Sequence, residues 1–223
     1  MYVNMQWVLF GMHSPLSYKY LSFALFFDST TFSRASIGRH RNEKNLGGHS
    51  PEAEAANEMI EDLIVVLKYY KRLNPRCLIV IENPVGYLQK MEYNEIFEKE
   101  GGDELQLKRV TVSYCMLAEE NILPRKDTDL WTNSKNLQHI CRNGAYKCCH
   151  DCNGLTSDGR RHQKHVQDKV GRYASYPLEF NRFVRDQLLA DVRAEQCDVS
   201  QLSASFTSSS TASSSSSGSE CGE

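Results

Sequence analysis

The segment CLIVIENP, residues 77–84, decides the fold class. It is a continuous apolar run with β-branched residues that follows directly on a segment of helical periodicity, which predicts a buried strand of a parallel sheet. The run ends abruptly at Glu82, Asn83 and Pro84. Ligands of open α/β sheets bind just outside the carboxyl ends of strands. We therefore predict an α/β fold with these three residues at a functional site.

The segment before this strand predicts an amphipathic helix. Ser50 can cap the helix and Pro51 suits its first position. Apolar residues recur at helical spacing between positions 56 and 70, which extends the helix to about Arg72. The Asn74-Pro75 pair is expected to end it.

The rest of the chain predicts further elements. The polar, glycine-bearing residues 39–50 predict an exposed loop, and residues 109–117 alternate like a strand, with 128–133 as a short partner strand. Residues 177–193 predict a closing helix. Serine dominates residues 203–219, which cannot bury enough apolar area to offset the entropy of ordering and are expected to be disordered.

Composition limits the classes of function. A formal net charge of −2 argues against a strongly basic nucleic-acid binder. Residues 160–172 are rich in Lys and Arg and contain one acidic residue, which fits either a solvated face or a phosphate contact. No signal peptide is recognised, and the apolar residues 20–27 are too few to span a membrane. We therefore expect an intracellular protein in a reducing compartment, nuclear or cytoplasmic, with its eight cysteines as thiols or metal ligands.

Four of the cysteines lie between positions 141 and 152. The Cys149-x2-Cys152 spacing suits tetrahedral zinc, but one such pair is half a site. Cysteines or histidines nearby could complete it, namely Cys141, Cys148, His162 and His165. The zinc set that we predict is Cys141, Cys149, Cys152 and His162, with unligated thiols as the alternative.

Three segments together resemble a known family. They are IENPVGYLQKM (81–91), VSYCMLAEENILPRKDTDLWTN (112–133) and RYASYPLEFNRFV (172–184). These segments, and the order of motifs from residue 13 to residue 185, resemble the C-terminal part of cytosine-C5 DNA methyltransferase-like proteins, notably the compact type of phages and algae. The resemblance implies an incomplete doubly wound, Rossmann-like methyltransferase sheet, DNA as the partner and S-adenosylmethionine as the cofactor, and it assigns no residues to the cofactor.

The resemblance also implies roles for individual residues. In this chemistry a cysteine thiolate attacks C6 of a cytosine flipped out of the duplex, and C5 then takes the methyl group. A carboxylate at N3 and N4 stabilises the intermediate. Glu82 is expected to be that carboxylate, with Asn83 and Pro84 fixing its loop. Arg125 and Lys126 are expected to hold the flipped base or its phosphate, unless they form an ordinary basic turn. Framework roles are implied for Thr128, Trp131, Thr132 and Asn133.

The nucleophile loop of the family is interrupted. Residues 13–15 (HSP) and 30–33 (TTFS) match its two halves, but residues 16–29 replace the expected Pro-Cys, and no cysteine precedes Cys77. A retained intron or a gene-model error would produce this pattern, which sequencing of the transcript would test. Cys115 could replace the nucleophile, although a structural thiol is the expected role. We also expect the glycine-rich cofactor turn to be missing, since the chain begins about where the fourth strand should.

These observations divide the chain into five segments. They are the interrupted nucleophile-loop region 1–36 with its insert 16–29, a partial methyltransferase core 37–138, a Cys/His-rich basic segment 139–172, a C-terminal helix 173–194 and a disordered tail 195–223. The predicted function is a DNA (cytosine-5) methyltransferase-like protein that is inactive as written. The alternatives are a non-catalytic, zinc-containing nucleic-acid or protein-binding module that uses residues 160–172, and the product of a faulty gene model without a stable fold.

Overall fold

The computed structural model describes seven segments of the chain. They are residues 6–9, 22–26, 31–33, 38–99, 104–117, 126–148 and 178–210, with side chains described from residue 31 to residue 197. The strands are β1 Gln6–Leu9, β2 Ser22–Phe26, β3 Leu78–Pro84, β4 Lys108–Ser113 and β5 Asp127–Thr132. The α-helices are α1 Pro51–Leu73, α2 Glu92–Glu98, α3 Lys135–Ile140 and α4 Leu178–Ser210. The structure therefore confirms the predicted α/β class as a mixed α/β fold.

One sheet joins the described strands in the order β1-β2-β3-β5-β4. β2 runs parallel to β3, whereas β1 pairs antiparallel with β2. On its other side β3 pairs antiparallel with β5, and β5 pairs antiparallel with β4. The strand predicted over residues 77–84 is therefore confirmed, but its neighbours are of mixed direction rather than all parallel.

The continuous apolar run of β3 reflects burial on both faces of the sheet. Every residue from Leu78 to Pro84 is buried. Side chains alternate between the two faces of a strand. Ile79 and Ile81 therefore enter the core beneath α1 and α2, whereas Val80 enters the core beneath α3 and α4. A strand covered on both faces reads as an unbroken hydrophobic segment, which is the pattern that predicted it.

Helix α1 begins and ends close to the predicted positions. The Ser50 side chain accepts a hydrogen bond from the backbone N–H of Ala53, and Pro51 is the first helical residue. The helix ends at Leu73, and Asn74 is its C-cap in an extended conformation. Local capping chemistry therefore determines both ends of this helix.

Helix α4 covers the opposite face of the sheet. Its buried residues recur every four positions, at Phe180, Val184, Leu188 and Val192. This stripe packs against the core that contains Val80 and Leu130. None of the helices within the described ranges is both long enough and apolar enough to span a membrane.

One sequence-based expectation about the end of the chain requires correction. Helix α4 continues to Ser210 instead of ending near residue 194, so residues 195–210 of the predicted disordered tail are helical. Once the packed part has formed, each added residue gains a hydrogen bond without a new nucleation cost, and this propagation carries the helix into a polar segment. Residues 211–223 lie outside the described residues. Part of the insert 16–29 also forms structure, since residues 22–26 are the strand β2.

The loop 39–50 is also less exposed than predicted. Its polar residues form turns, but the side chain of Arg41 is completely buried. The guanidinium donates to the backbone oxygens of Leu46 and Ala53, and it lies 4.3 Å from the centre of the Phe32 ring. Backbone acceptors and an aromatic face can therefore hold a charged side chain that composition assigns to the surface.

Candidate functional site

Glu82 lies near the carboxyl end of β3, as predicted, and its side chain is completely buried. Thr128 on β5 donates its hydroxyl to Glu82 Oε1. The Tyr114 hydroxyl donates to the same oxygen at 3.4 Å. Burying a carboxylate costs free energy unless hydrogen bonds replace its hydration. The fold therefore supplies this acid with dedicated donors from the ends of two other strands.

Asn83 and Asp129 form a second polar pair, on the opposite face of the sheet. They face each other across the β3–β5 pairing, and both are buried. The Thr111 hydroxyl donates to Asp129 Oδ1 at 2.6 Å, and the Asn83 amide donates to the backbone oxygen of Pro84 at 2.7 Å. Asn83 Oδ1 and Asp129 Oδ2 have no hydrogen-bond partner among the described residues. Burial raises the pKa of Asp129, whereas the hydrogen bond from Thr111 opposes that rise.

One half of the interrupted loop lies directly against the end of β3. Ser33 forms an isolated antiparallel bridge with Gly86, and the backbone N–H of Tyr87 donates to the Phe32 oxygen at 2.7 Å. A Cβ atom at Gly86 would come within 2.0 Å of that oxygen, so only glycine permits this approach. Residues 13–15, the other half of the loop, lie outside the described residues. The structure therefore places residues 31–33 against Gly86 and Tyr87, which follow Glu82 by four and five residues along the chain.

The predicted basic residues divide between described and undescribed parts of the chain. Arg125 lies outside the described residues. The Lys126 ammonium lies 5.1 Å from the centre of the Tyr114 ring, within cation–π distance. The Phe180 ring also packs against the Tyr114 ring, with the two ring centres 5.0 Å apart. Lys126 is thus connected to Glu82 through the side chain of Tyr114.

Two of the residues expected to be framework, Asn133 and Trp131, make contacts of that kind, whereas Thr128 contacts Glu82. The Asn133 amide group continues the sheet beyond β5, because it accepts from the Ile79 N–H at 2.8 Å and donates to the Cys77 oxygen at 2.7 Å. The Trp131 indole donates to Asn94 at 2.8 Å and joins the sheet to α2. These contacts hold strands and helices in register.

Cys115 and Cys77 are poorly placed for nucleophilic chemistry at Glu82. Cys115 is only 2% exposed. Cys77 precedes the amino end of β3, away from Glu82, and burial raises its pKa to about 12. A thiol attacks as the thiolate, so a raised pKa suppresses its reactivity. Neither residue supplies an accessible thiolate beside Glu82.

The predicted zinc ligands can be examined only at Cys141. Its side chain is 4% exposed and belongs to the apolar core under α4, and burial raises its pKa to about 11. Zinc binds the thiolate, which this apolar setting disfavours. Cys149, Cys152 and His162 lie outside the described residues. Within the described ranges, no three His, Cys, Asp or Glu side chains are grouped to hold a metal ion.

The described residues also do not fit the cofactor that the resemblance implies. The resemblance implies that S-adenosylmethionine is held by a glycine-rich turn between a strand and a helix. Gly47 and Gly48 precede α1 but follow turns rather than a strand. A Cβ atom at Gly48 would come within 2.3 Å of the Ala53 Cβ, so packing against the helix explains this glycine. We derive no chemical step through the cofactor.

Sequence reasoning missed Tyr114 and Asp129 as members of the site. Tyr114 belongs to the Tyr-Cys pair at the end of a predicted strand, and its position after β4 was a usable signal. Asp129 is an acid inside a short strand, where charged residues are unusual. Comparison of the chain with protein-family models, with curated proteins and with solved structures finds no match.

Proposed function

We propose that this chain is a DNA (cytosine-5) methyltransferase-like protein that holds an unpaired cytosine at Glu82 and does not transfer a methyl group. The observation that carries the proposal is the buried Glu82 carboxylate at the end of β3, with donors from Thr128 and Tyr114. A buried acid with this hydrogen bonding is a candidate functional group, because burial is costly and structural needs rarely require it.

The sheet is interpreted as part of a doubly wound methyltransferase sheet. Helices cover both of its faces, α1 and α2 on one and α3 and α4 on the other. In such folds the ligand lies outside the carboxyl ends of the strands. Glu82 and the docked residues 31–33 occupy that edge.

The proposed contact is an exchange of hydrogen bonds at the Glu82 carboxylate. Cytosine carries its amino group at N4, and N3 donates once it is protonated. These two groups form a donor edge that a carboxylate can accept. The weakest described bond to Glu82 is the one from Tyr114 at 3.4 Å, and the bond from Thr128 is shorter. A base would therefore replace the Tyr114 hydroxyl, while Thr128 holds the carboxylate in place.

The proposed absence of methyl transfer follows from the lack of a nucleophilic cysteine in the loop. The loop that resembles the family's nucleophile segment contains no cysteine, and the first cysteine of the sequence is Cys77. Without a thiolate adding to C6, C5 of cytosine is not activated to accept a methyl group. Cys115, at 2% exposure, does not replace it in this proposal.

The experiment compares duplexes that carry one cytosine or one thymine opposite an abasic site. An unpaired base needs little further unstacking, so the preference between the two bases reports the contact itself. The intact protein is expected to bind the cytosine duplex at least about fivefold more tightly than the thymine duplex. This ratio corresponds to the free energy of roughly one hydrogen bond. The Glu82→Gln substitution is expected to abolish this preference, because an amide cannot accept hydrogen bonds from both N4 and protonated N3 of cytosine.

The matched control is Glu58→Gln, which removes one negative charge from an exposed position of α1. This variant should keep the preference for unpaired cytosine over unpaired thymine. Circular dichroism checks that the Glu82 variant is folded. A preference for cytosine that survives Glu82→Gln in a folded protein would refute the base-binding role. Labelling of DNA by tritiated S-adenosylmethionine would separately refute the absence of transfer.

A further inference from the structure

A groove of about 940 Å³ opens at the other end of the sheet from Glu82. Leu78, the first residue of β3, and Lys108, the first residue of β4, both line it. Its other walls come from the ends of α1 and α2, from the segments that precede β3 and β4, from α3 and from one side of α4. Ala190 and Ala194, one turn apart on α4, leave space along that wall. Small-molecule sites typically measure about 300–1,000 Å³, so the groove has the size of a ligand site.

Cationic side chains from separate elements converge on the groove. They are Lys71, Arg76, Lys108 and Lys135. Among the described residues, none of the four forms an ion pair within 4 Å. Burial lowers the pKa of Lys71, whereas Coulombic interactions with Cys77 and Glu195 oppose that shift. Unpaired cations that share one cavity attract an anion.

Some lysines elsewhere among the described residues do form ion pairs. Lys68 pairs with Glu104 at 2.6 Å, and Lys90 pairs with Glu43 at 2.8 Å. The four cations of the groove differ in this respect from Lys68 and Lys90.

The acids of the groove do not neutralise these cations by direct contact. Asp191 is engaged at the start of α3, where it accepts from the Ser134 hydroxyl and from the Asn136 backbone N–H at 3.0 Å. Glu98 accepts from the Asn94 side chain at 3.3 Å. Glu195 lines the groove with Oε2 buried and without a hydrogen-bond partner among the described residues. This oxygen can accept from a hydroxyl or amino group of a ligand.

We propose that this groove binds a phosphate-bearing ligand of nucleotide size. The phosphate contacts the cationic side chains, led by Lys108 and Lys135, and a hydroxyl or amino group of the ligand donates to Glu195. The phosphate belongs either to a free nucleotide or to a nucleotide within a single nucleic-acid strand. The site lies apart from Glu82 and does not depend on the function proposed above.

The test uses isothermal titration calorimetry on the full chain at about 0.15 M salt, where weak surface attraction is screened. The probes are ATP, pyrophosphate and a short single-stranded oligonucleotide. The Lys108→Gln/Lys135→Gln double variant changes exposed residues and is expected to weaken binding by at least about tenfold. Glu195→Gln is expected to weaken the binding of ATP but to leave the binding of pyrophosphate nearly unchanged, since pyrophosphate has no ribose hydroxyl or base amino group.

The matched control is Arg39→Gln/Lys44→Gln, which removes the same charge from exposed positions of the loop before α1. It should change the affinity by less than about twofold. Binding of ATP that competes with the oligonucleotide identifies a free-nucleotide site, and binding of the oligonucleotide alone identifies a strand site. The inference is overturned if no probe binds, or if the control loses as much affinity as the groove variant. Glu82→Gln should leave this binding intact, which separates the result from the proposed function.

Discussion

Replacing Arg41 by lysine tests how a buried cation secures residues 31–33 beside the candidate site. The Arg41 side chain is completely buried. It donates to Leu46 O at 2.7 Å, to Ala53 O at 2.8 Å and to Asn57 Oδ1 at 2.8 Å. Its guanidinium also lies 4.3 Å from the centre of the Phe32 ring. A lysine can reach one of these acceptors but cannot span all three.

The magnitude follows from these contacts. Hydrogen bonds from a charged group contribute about 1.5–3 kcal/mol each, and Arg41→Lys loses about two of them and the stacking on Phe32, which gives an expected loss of at least about 3 kcal/mol. Burial lowers the pKa of Arg41, which shows that the charge is costly to desolvate. Arg41→Met removes that charge together with the bonds, so we expect a smaller loss of about 2 kcal/mol.

The assay is urea unfolding of both variants and of the intact chain, with the slope of the transition compared to detect changes in the unfolded state. The control is Arg39→Lys at an exposed position of the same loop, expected to change the free energy of unfolding by less than about 0.5 kcal/mol. The reasoning is refuted if Arg41→Lys lies within about 1 kcal/mol of the intact chain, or if Arg41→Met is the more damaging change.

Three further substitutions test the site and its support. Burial raises the pKa of Asp129, so the folded protein holds this proton at pH values where the unfolded chain has lost it, and stability falls as pH rises from near 4 through the raised pKa. Asp129→Asn should remove that fall and be the more stable protein at pH 7, as measured by urea unfolding from pH 4 to 7; a less stable variant at pH 7 contradicts the argument. Gly86→Ala places a Cβ atom within 2.0 Å of the Phe32 oxygen and should cost about 2–3 kcal/mol in the same assay, whereas an unchanged midpoint would show that residues 31–33 do not dock there. Leu188→Ala, at a residue 3% exposed, should cost about 3 kcal/mol by leaving a cavity under α4, against less than about 0.5 kcal/mol for Leu178→Ala at 57% exposure; equal effects would contradict the packing of α4.

The features that sequence reasoning predicted well depend on local chemistry. Helix α1 begins where Ser50 and Pro51 predict, because a cap and a first-turn proline act on neighbouring residues. The strand β3 is recognisable because burial on both faces leaves an unbroken apolar run. Glu82 was placed at the end of this strand for the same reason.

The features that sequence reasoning missed depend on contacts between residues that are distant along the chain. The acceptors of Arg41 lie 5, 12 and 16 residues away along the chain, and no local pattern marks that charge as buried. The antiparallel pairing of β3 with β5 could not be inferred from the apolar run, since burial does not encode strand direction. The extension of α4 to Ser210 depends on helix propagation from its packed portion, whereas composition alone favours disorder there.

The most direct test of the account is the carbon NMR signal of the Glu82 side-chain carboxyl group, assigned by comparison with Glu82→Gln. Titration with a duplex that carries an unpaired cytosine should shift this signal, because the base donates hydrogen bonds to the carboxylate. The same duplex with an unpaired thymine should leave it nearly unchanged, since thymine presents an acceptor where cytosine presents its amino group. A Glu82 signal that does not respond to a saturating amount of the cytosine duplex would contradict the base-holding role of this residue.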